Sequence, residues 1–167
     1  PGLNPKYPFP VILAGEAAPR TIWSYTNAGK VNEAGCDISV NYYLSDSWLL
    51  DANFTYFSFE VLERHPNDVL LPNSPKYRIN GSLTYTHPAG HNVGLKIKYV
   101  PTFLWAAGIY RGDIPAYTLV NLSGQYVFSS SLSLNLNVSN LLDRKHYQIF
   151  GGSLIGRRAM LTASMSF

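Results

Sequence analysis

His87 and His91 flank the tripeptide "PAG" at 88–90, a spacing that fits a tight hairpin with one histidine on each arm. Their Cβ atoms would lie about 5 Å apart, near enough for two imidazoles to share a metal ion. A structural zinc site needs four ligands and a catalytic one three, and no third ligand stands beside this pair. The plainer reading is a pair of turn histidines, with no bound metal or cofactor. Nucleophilic catalysis requires a base beside the nucleophile. Ser82 and Ser133 lie in regular alternating segments, whereas the four histidines lie in turns and loops, so none is placed next to a strand serine. "GG" at 151–152 opens no helix and therefore makes no phosphate-binding loop. No enzymatic activity is expected.

Two sets of residues could still hold a ligand. Arg78, Lys96, Lys98 and Arg158 share polar positions with Asp37, Asp51 and Glu60. They could guide an anion, but ordinary polarity with cross-strand ion pairs accounts for them more simply. Arg64, His65, Tyr110, Arg111, His146 and Tyr147 fall in the long connections. Binding residues concentrate on such loops, so these six are the candidates for touching a small molecule.

Period-two alternation defines the elements that position both sets. In 131–139 the order is S-L-S-L-N-L-N-V-S, a strand with one apolar and one polar face. The same pattern recurs in 34–44, 48–59, 76–87, 92–100, 116–128 and 157–167. That makes seven strands and no convincing helix. Leu83, Leu95, Leu134 and Leu136 belong to the apolar face; Asn80, Lys96, Asn135 and Asn137 belong to the polar one.

Three connections are tight: "SDS" at 45–47, "PAG" at 88–90 and "SSS" at 129–131. As three-residue hairpins they pair Leu44 with Trp48, His87 with His91 and Phe128 with Leu132. Further out, Tyr42 faces Leu50, Tyr85 faces Val93 and Tyr126 faces Leu134, so the apolar faces coincide in all three. The other connections, roughly 61–75, 104–115 and 142–156, are long. Strict alternation of short and long connections is the habit of outer-membrane barrels, with short periplasmic turns and long extracellular loops.

The aromatic residues point the same way. On the apolar face Tyr42, Trp48, Tyr85, Tyr126, Phe128 and Phe167 lie towards the short turns, and Tyr56, Tyr77 and Tyr99 towards the long loops. Tyr77 and Tyr85 are separated by about 26 Å of strand, or roughly 20 Å of height at a tilt of about 40°. Two such girdles are what the two interfaces of a bilayer select. A soluble sandwich has no reason to sort aromatics by height.

Composition agrees. Only 14% of the 167 residues are charged, against about a quarter in soluble proteins. The net charge of +3 comes without a Lys/Arg run, so no nucleic-acid partner is expected. The one cysteine, Cys36, forms no internal disulfide. No stretch reaches the roughly 18 apolar residues of a membrane-spanning helix, and the chain opens on "PGLNPKYPFP" without a methionine.

"NLLDRKHY" (140–147) resembles the "NLFDKxY" phrase of TonB-dependent outer-membrane receptors, through Asn140, Leu141, Asp143, Arg144 or Lys145, and Tyr147. "NAGKVNEAGCD" (27–37), "LPNSPKYRIN" (71–80), "IPAYTLVNLSGQY" (114–126) and "GRRAMLTASMSF" (156–167) are similar to that family's motifs in that family's order. Met165 departs from the usual aromatic residue. The resemblance implies an all-β antiparallel meander forming part of a 22-stranded barrel: residues 1–22 as the remnant of an extracellular loop, 23–167 as C-terminal barrel strands. It implies the outer membrane of a Gram-negative bacterium and energised uptake of a scarce ligand, foremost a ferric siderophore. A passive porin or a barrel enzyme is the alternative. Implied partners are membrane lipid, the ligand, the TonB complex acting through an N-terminal part outside this chain, and the assembly machinery, for which Phe167 would be the signal.

Overall fold

The computed structural model describes residues 29–64, 69–107 and 110–166. The expected loop remnant at 1–22, residues 23–28, His65 and Phe167 lie outside the described residues. Among the described residues nine strands follow one another: β1 (Gly29–Ser45), β2 (Trp48–Arg64), β3 (Tyr77–Thr86), β4 (Asn92–Val100), β5 (Phe103–Ala107), β6 (Tyr110–Ile114), β7 (Tyr117–Ser129), β8 (Leu132–Ser139) and β9 (Arg158–Met165). Seven of them form one antiparallel sheet in the order β1-β2-β3-β4-β7-β8-β9. Among the described residues β5 and β6 pair only with each other, as a separate hairpin. The fold is all-β and its main sheet is the expected seven-stranded meander. The region 104–115, expected as a loop, instead holds that extra hairpin.

Register places like with like across the sheet. Leu50 faces Leu83, Leu83 faces Leu95, Leu95 faces Leu122, Leu122 faces Val138 and Val138 faces Ala159. One residue along, Asp51 faces Ser82, Ser82 faces Lys96 and Lys96 faces Asn121. The first row belongs to a continuous apolar face, on which Leu95 is 41% exposed and Ile97 46%. A face of that extent is unfavourable in water and suited to lipid. The polar face is held by hydroxyls and amides. Ser82 donates to Asp51 at 2.9 Å, Asn80 to Asn53 at 3.2 Å, and Asn53 to Ser39 at 2.9 Å. The anticipated cross-strand ion pairs are absent among the described residues, where Lys145 with Asp143 is the only ion pair. Asp37 and Asp51 accept from Thr55 and Ser82 instead.

Two hairpin registers differ from expectation next to the turn. Ser45 faces Trp48 and Ser129 faces Leu132, with a bulge absorbing Leu44 and Phe128. The bulge restores Tyr42 opposite Leu50 and Tyr126 opposite Leu134, so the faces are unaffected. At "PAG" the expected pairing holds, with the His87 N–H donating to the His91 carbonyl at 2.8 Å. β1 and β2 extend well past the alternating stretches, to Gly29 opposite Arg64. Their mutual backbone ladder continues where the side-chain pattern has lapsed.

Neighbouring rings meet within each aromatic girdle. At the short-turn end Trp48 meets Tyr85 at 5.0 Å between centroids, and Tyr126 meets Phe128 at 4.7 Å. At the long-loop end Tyr77 lies 6.2 Å from Tyr99.

Candidate functional site

The most buried side chains lie where the sheet meets its long connections, not in mid-sheet. Val100, Ile114 and Tyr117 form a small core, with Phe103, Trp105 and Leu119 packed against it. Val100 ends β4 and Tyr117 opens β7 directly opposite, so this core seats the base of the β5–β6 hairpin on the main sheet. The sequence "FLWAA" in β5 is apolar throughout. Its first four residues are half-buried, with Phe103 and Trp105 against the small core.

Asn73 makes the first of those meetings. Its backbone has φ +50°, a left-handed conformation that asparagine tolerates better than most residues. Its side-chain Nδ2 donates to the Ala106 carbonyl at 2.8 Å, and its Oδ1 accepts from the Ala106 N–H at 2.8 Å. One amide side chain thus takes the place of a neighbouring strand and ties the first long connection to β5. Between them opens a cleft of about 460 Å³, lined among others by Phe57, Phe59, Leu71, Pro72, Phe103 and Leu104. Its size and apolar, aromatic lining fit a small-molecule site.

The third long connection closes in from the other side. Phe150 lies so close over Gly112 that any side chain at 112 would run into its ring. Gly151, at φ +76°, lies beside the Tyr110 ring. The start of this connection is fastened by Asn140, which is 3% exposed with φ +55°. Asp143 accepts from the Arg157 N–H at 2.7 Å and from Lys145 Nζ at 3.1 Å. The Arg157 N–H, followed by the Lys145 ammonium, holds its carboxyl below the usual carboxylate range.

The six loop candidates separate. Tyr110 and Arg111 open β6, both exposed, with Tyr110 against the third connection. Arg64 is exposed at the end of β2, opposite Gly29, and His65 lies outside the described residues. Tyr147 is exposed, but its neighbour His146 is only 5% exposed. His146 Nδ1 donates to the Arg144 carbonyl at 3.1 Å, and its ring meets Tyr117 at 4.6 Å. Its backbone also exchanges hydrogen bonds with Ile155. In this arrangement His146 packs the loop onto β7. Sequence reasoning passed over Asn73, Phe57, Phe59 and Phe150. For Phe57 and Phe59 a signal existed: both occupy polar-face positions in "YFSFEV", just where alternation lapses.

Comparison with known proteins agrees with this architecture. A family model described as "TonB dependent receptor-like, beta-barrel" matches residues 5–141. The metal-pseudopaline receptor CntO of Pseudomonas aeruginosa is 29% identical over 129 residues, which are 72% of this chain and 18% of that protein. The ferrioxamine receptor of Yersinia enterocolitica is 31% identical over 147 residues, 80% of this chain and 20% of that protein. The chain therefore spans about a fifth of the length of these curated relatives. Among solved structures, the ferric-catecholate import receptor Fiu from E. coli superposes with a TM-score of 0.68 at 20% identity, over 92% of this chain and 23% of that one. The ferripyoverdine receptor of the outer membrane of Pseudomonas aeruginosa gives 0.65 at 17% identity, over 82% and 20%. With its lipid-suited face and its girdles, the sheet is a piece of barrel wall in the outer membrane of a Gram-negative bacterium, and the chain belongs to the TonB-dependent receptor-like β-barrel family.

Proposed function

We propose that this chain supplies wall and external loops to a receptor for energised uptake of a scarce ligand, foremost a ferric siderophore. The observation that carries the reading is the aromatic cleft at the long-loop rim, framed by the β5–β6 hairpin. Relatives named as receptors for metal-pseudopaline and ferrioxamine support the ligand class. Tyr110, Arg111, Tyr147 and Arg64 are the exposed groups that would meet a ligand arriving from outside. Aromatic rings offer a stacking surface, and the guanidinium groups suit carboxylate or hydroxamate oxygens. Release inward would be driven by the TonB complex, acting through parts of the receptor beyond this chain. The open edges of β1 and β9, each paired on one side among the described residues, would be closed by other strands of the barrel, because unpaired backbone groups are costly in lipid. Phe167 would serve the assembly machinery. No catalytic role is proposed.

The test is uptake of radiolabelled iron complexed to a panel of siderophores, in cells whose only receptor carries this chain. Uptake should vanish without TonB, and Tyr110→Ala or Arg111→Ala should raise the half-saturating concentration while the barrel stays folded. Uptake that is indifferent to TonB would overturn the energised reading. Uptake of other ligands but no ferric siderophore would overturn the ligand class.

A further inference from the structure

The short-turn rim carries a feature that ligand uptake does not use. His87 and His91 stack at 5.6 Å between centroids, and His91 lies flat on Tyr126 at 4.4 Å with 5° between the rings. Each imidazole has its Nδ1 engaged by a backbone amide. The Ala89 N–H donates to His87 at 3.1 Å and the Val127 N–H to His91 at 3.0 Å. A backbone N–H can only donate, so both Nδ1 atoms are acceptors and the ring proton sits on Nε2 in each. Two neighbouring Nε2–H donors result, with no hydrogen-bond partner among the described residues. A protonated Nε2 has no lone pair for a metal ion; it suits an anion.

Directly beside the pair the apolar face is hollow. A groove of about 450 Å³ is lined by Tyr85, Val93, Tyr126, Leu134 and Leu136 as well as by the two histidines. Its floor is Gly124, which lies between Val93 and Leu136 in the sheet. A side chain built there would enter open space, its nearest neighbour the Asn92 carbonyl oxygen at 3.6 Å. Glycine weakens a strand interior and often marks a place where something approaches closely. Here neither a turn nor a neighbouring backbone requires it.

We propose that this is a docking site for one phospholipid of the leaflet at the short-turn rim, with its phosphate accepting from His87 and His91 Nε2–H and an acyl chain lying in the Gly124 groove. The occupant follows from the surroundings. The groove opens onto the lipid-facing side of the sheet, within the aromatic girdle that marks headgroup height. The donor pair sits at the turn, where a phosphate would be, and the hollow extends towards the bilayer interior, where a chain would be. The site is independent of the imported ligand.

The test uses the receptor carrying this chain in nanodiscs of phosphatidylethanolamine and phosphatidylglycerol, with a trace of phosphatidylethanolamine bearing a diazirine on one acyl chain. Photolysis should concentrate label on the peptides containing Val93 and Leu134–Leu136. Gly124→Leu should abolish that concentration by filling the groove. His87→Phe with His91→Phe keeps rings in the stack but removes the donors. It should lower labelling about tenfold, the loss expected for a hydrogen bond to a charged group. Heat-modifiable mobility confirms that each variant is folded, and siderophore uptake should be unchanged in both. Even labelling around the apolar face in the parent, or undiminished labelling in Gly124→Leu, would overturn the proposal. Displacement of the lipid by inorganic phosphate alone would overturn it in favour of a free anion. Crosslinks to a second polypeptide would overturn it in favour of a protein contact.

Discussion

Asn140 grips the backbone of Arg144 from both sides: its Oδ1 accepts from the Arg144 N–H at 3.0 Å, and its Nδ2 donates to the Arg144 carbonyl at 2.9 Å. The same residue's N–H donates to Asn121 Oδ1 at 2.9 Å, and its carbonyl accepts from the Asp143 N–H at 2.8 Å. A buried asparagine in a left-handed conformation thus turns the chain out of β8 and closes the following loop on itself. Asn140→Gly keeps the backbone conformation and removes the grip. Leaving such groups unpaired costs about 1–3 kcal/mol. The expected result is faster proteolysis between 141 and 157 with the barrel still intact, read by mass spectrometry of the fragments. An unchanged cleavage rate would show that the grip does not hold the loop.

Asp143 makes that closure sensitive to acid. Its folded pKa is lowered by the Arg157 N–H and by Lys145. The contribution is therefore present above the unfolded carboxylate pKa and is lost as pH falls through the folded one. Cleavage of the 141–157 loop by an acid-tolerant protease should accelerate below the usual carboxylate range. In Asp143→Asn the loop should be equally open at neutral and acid pH. Parallel pH profiles for the two proteins would assign the effect elsewhere.

Gly112 and Phe150 should behave as one unit. Gly112→Val forces Phe150 off the hairpin, whereas Phe150→Ala merely uncovers it. If contact between them positions Tyr110, each single change weakens ligand binding. The double variant should then bind no worse than Gly112→Val alone, because the clash is gone. Contacting residues show such non-additivity in double-mutant cycles. Strictly additive losses, measured by uptake or by ligand titration, would deny the coupling.

The two faces should respond unequally to charge. Ile97 lies opposite Gly81, midway along β3 between the Tyr77 and Tyr85 girdles. Ile97→Arg should cost about 2–4 kcal/mol in lipid. Asn137→Arg, on the polar face opposite Ser123, should cost much less. Unfolding of the receptor in urea with lipid vesicles measures both, and equal costs would mean the faces are assigned wrongly.

Local pattern alone determined the seven long strands, their neighbours, and which side of each meets lipid. Alternation in stretches such as 131–139 arises because one side of the wall faces hydrocarbon and the other polar groups, so each residue's type reports its environment. The outer registers of the tight hairpins were legible for the same reason. The bulges at Leu44 and Phe128 were not, since a bulge leaves the faces downstream unchanged. Only the tertiary structure decided the β5–β6 hairpin, the staple from Asn73 to Ala106, the seating of Phe150 on Gly112 and the burial of His146. In that region side chains meet other loops on more than one side. "FLWAA" therefore carries no alternation, and His146, polar and in a loop, reads as exposed until Tyr117 is brought against it from nearly thirty residues away in the chain. Where a strand's environment is set by lipid, the sequence states it; where it is set by distant parts of the same chain, only the folded molecule does.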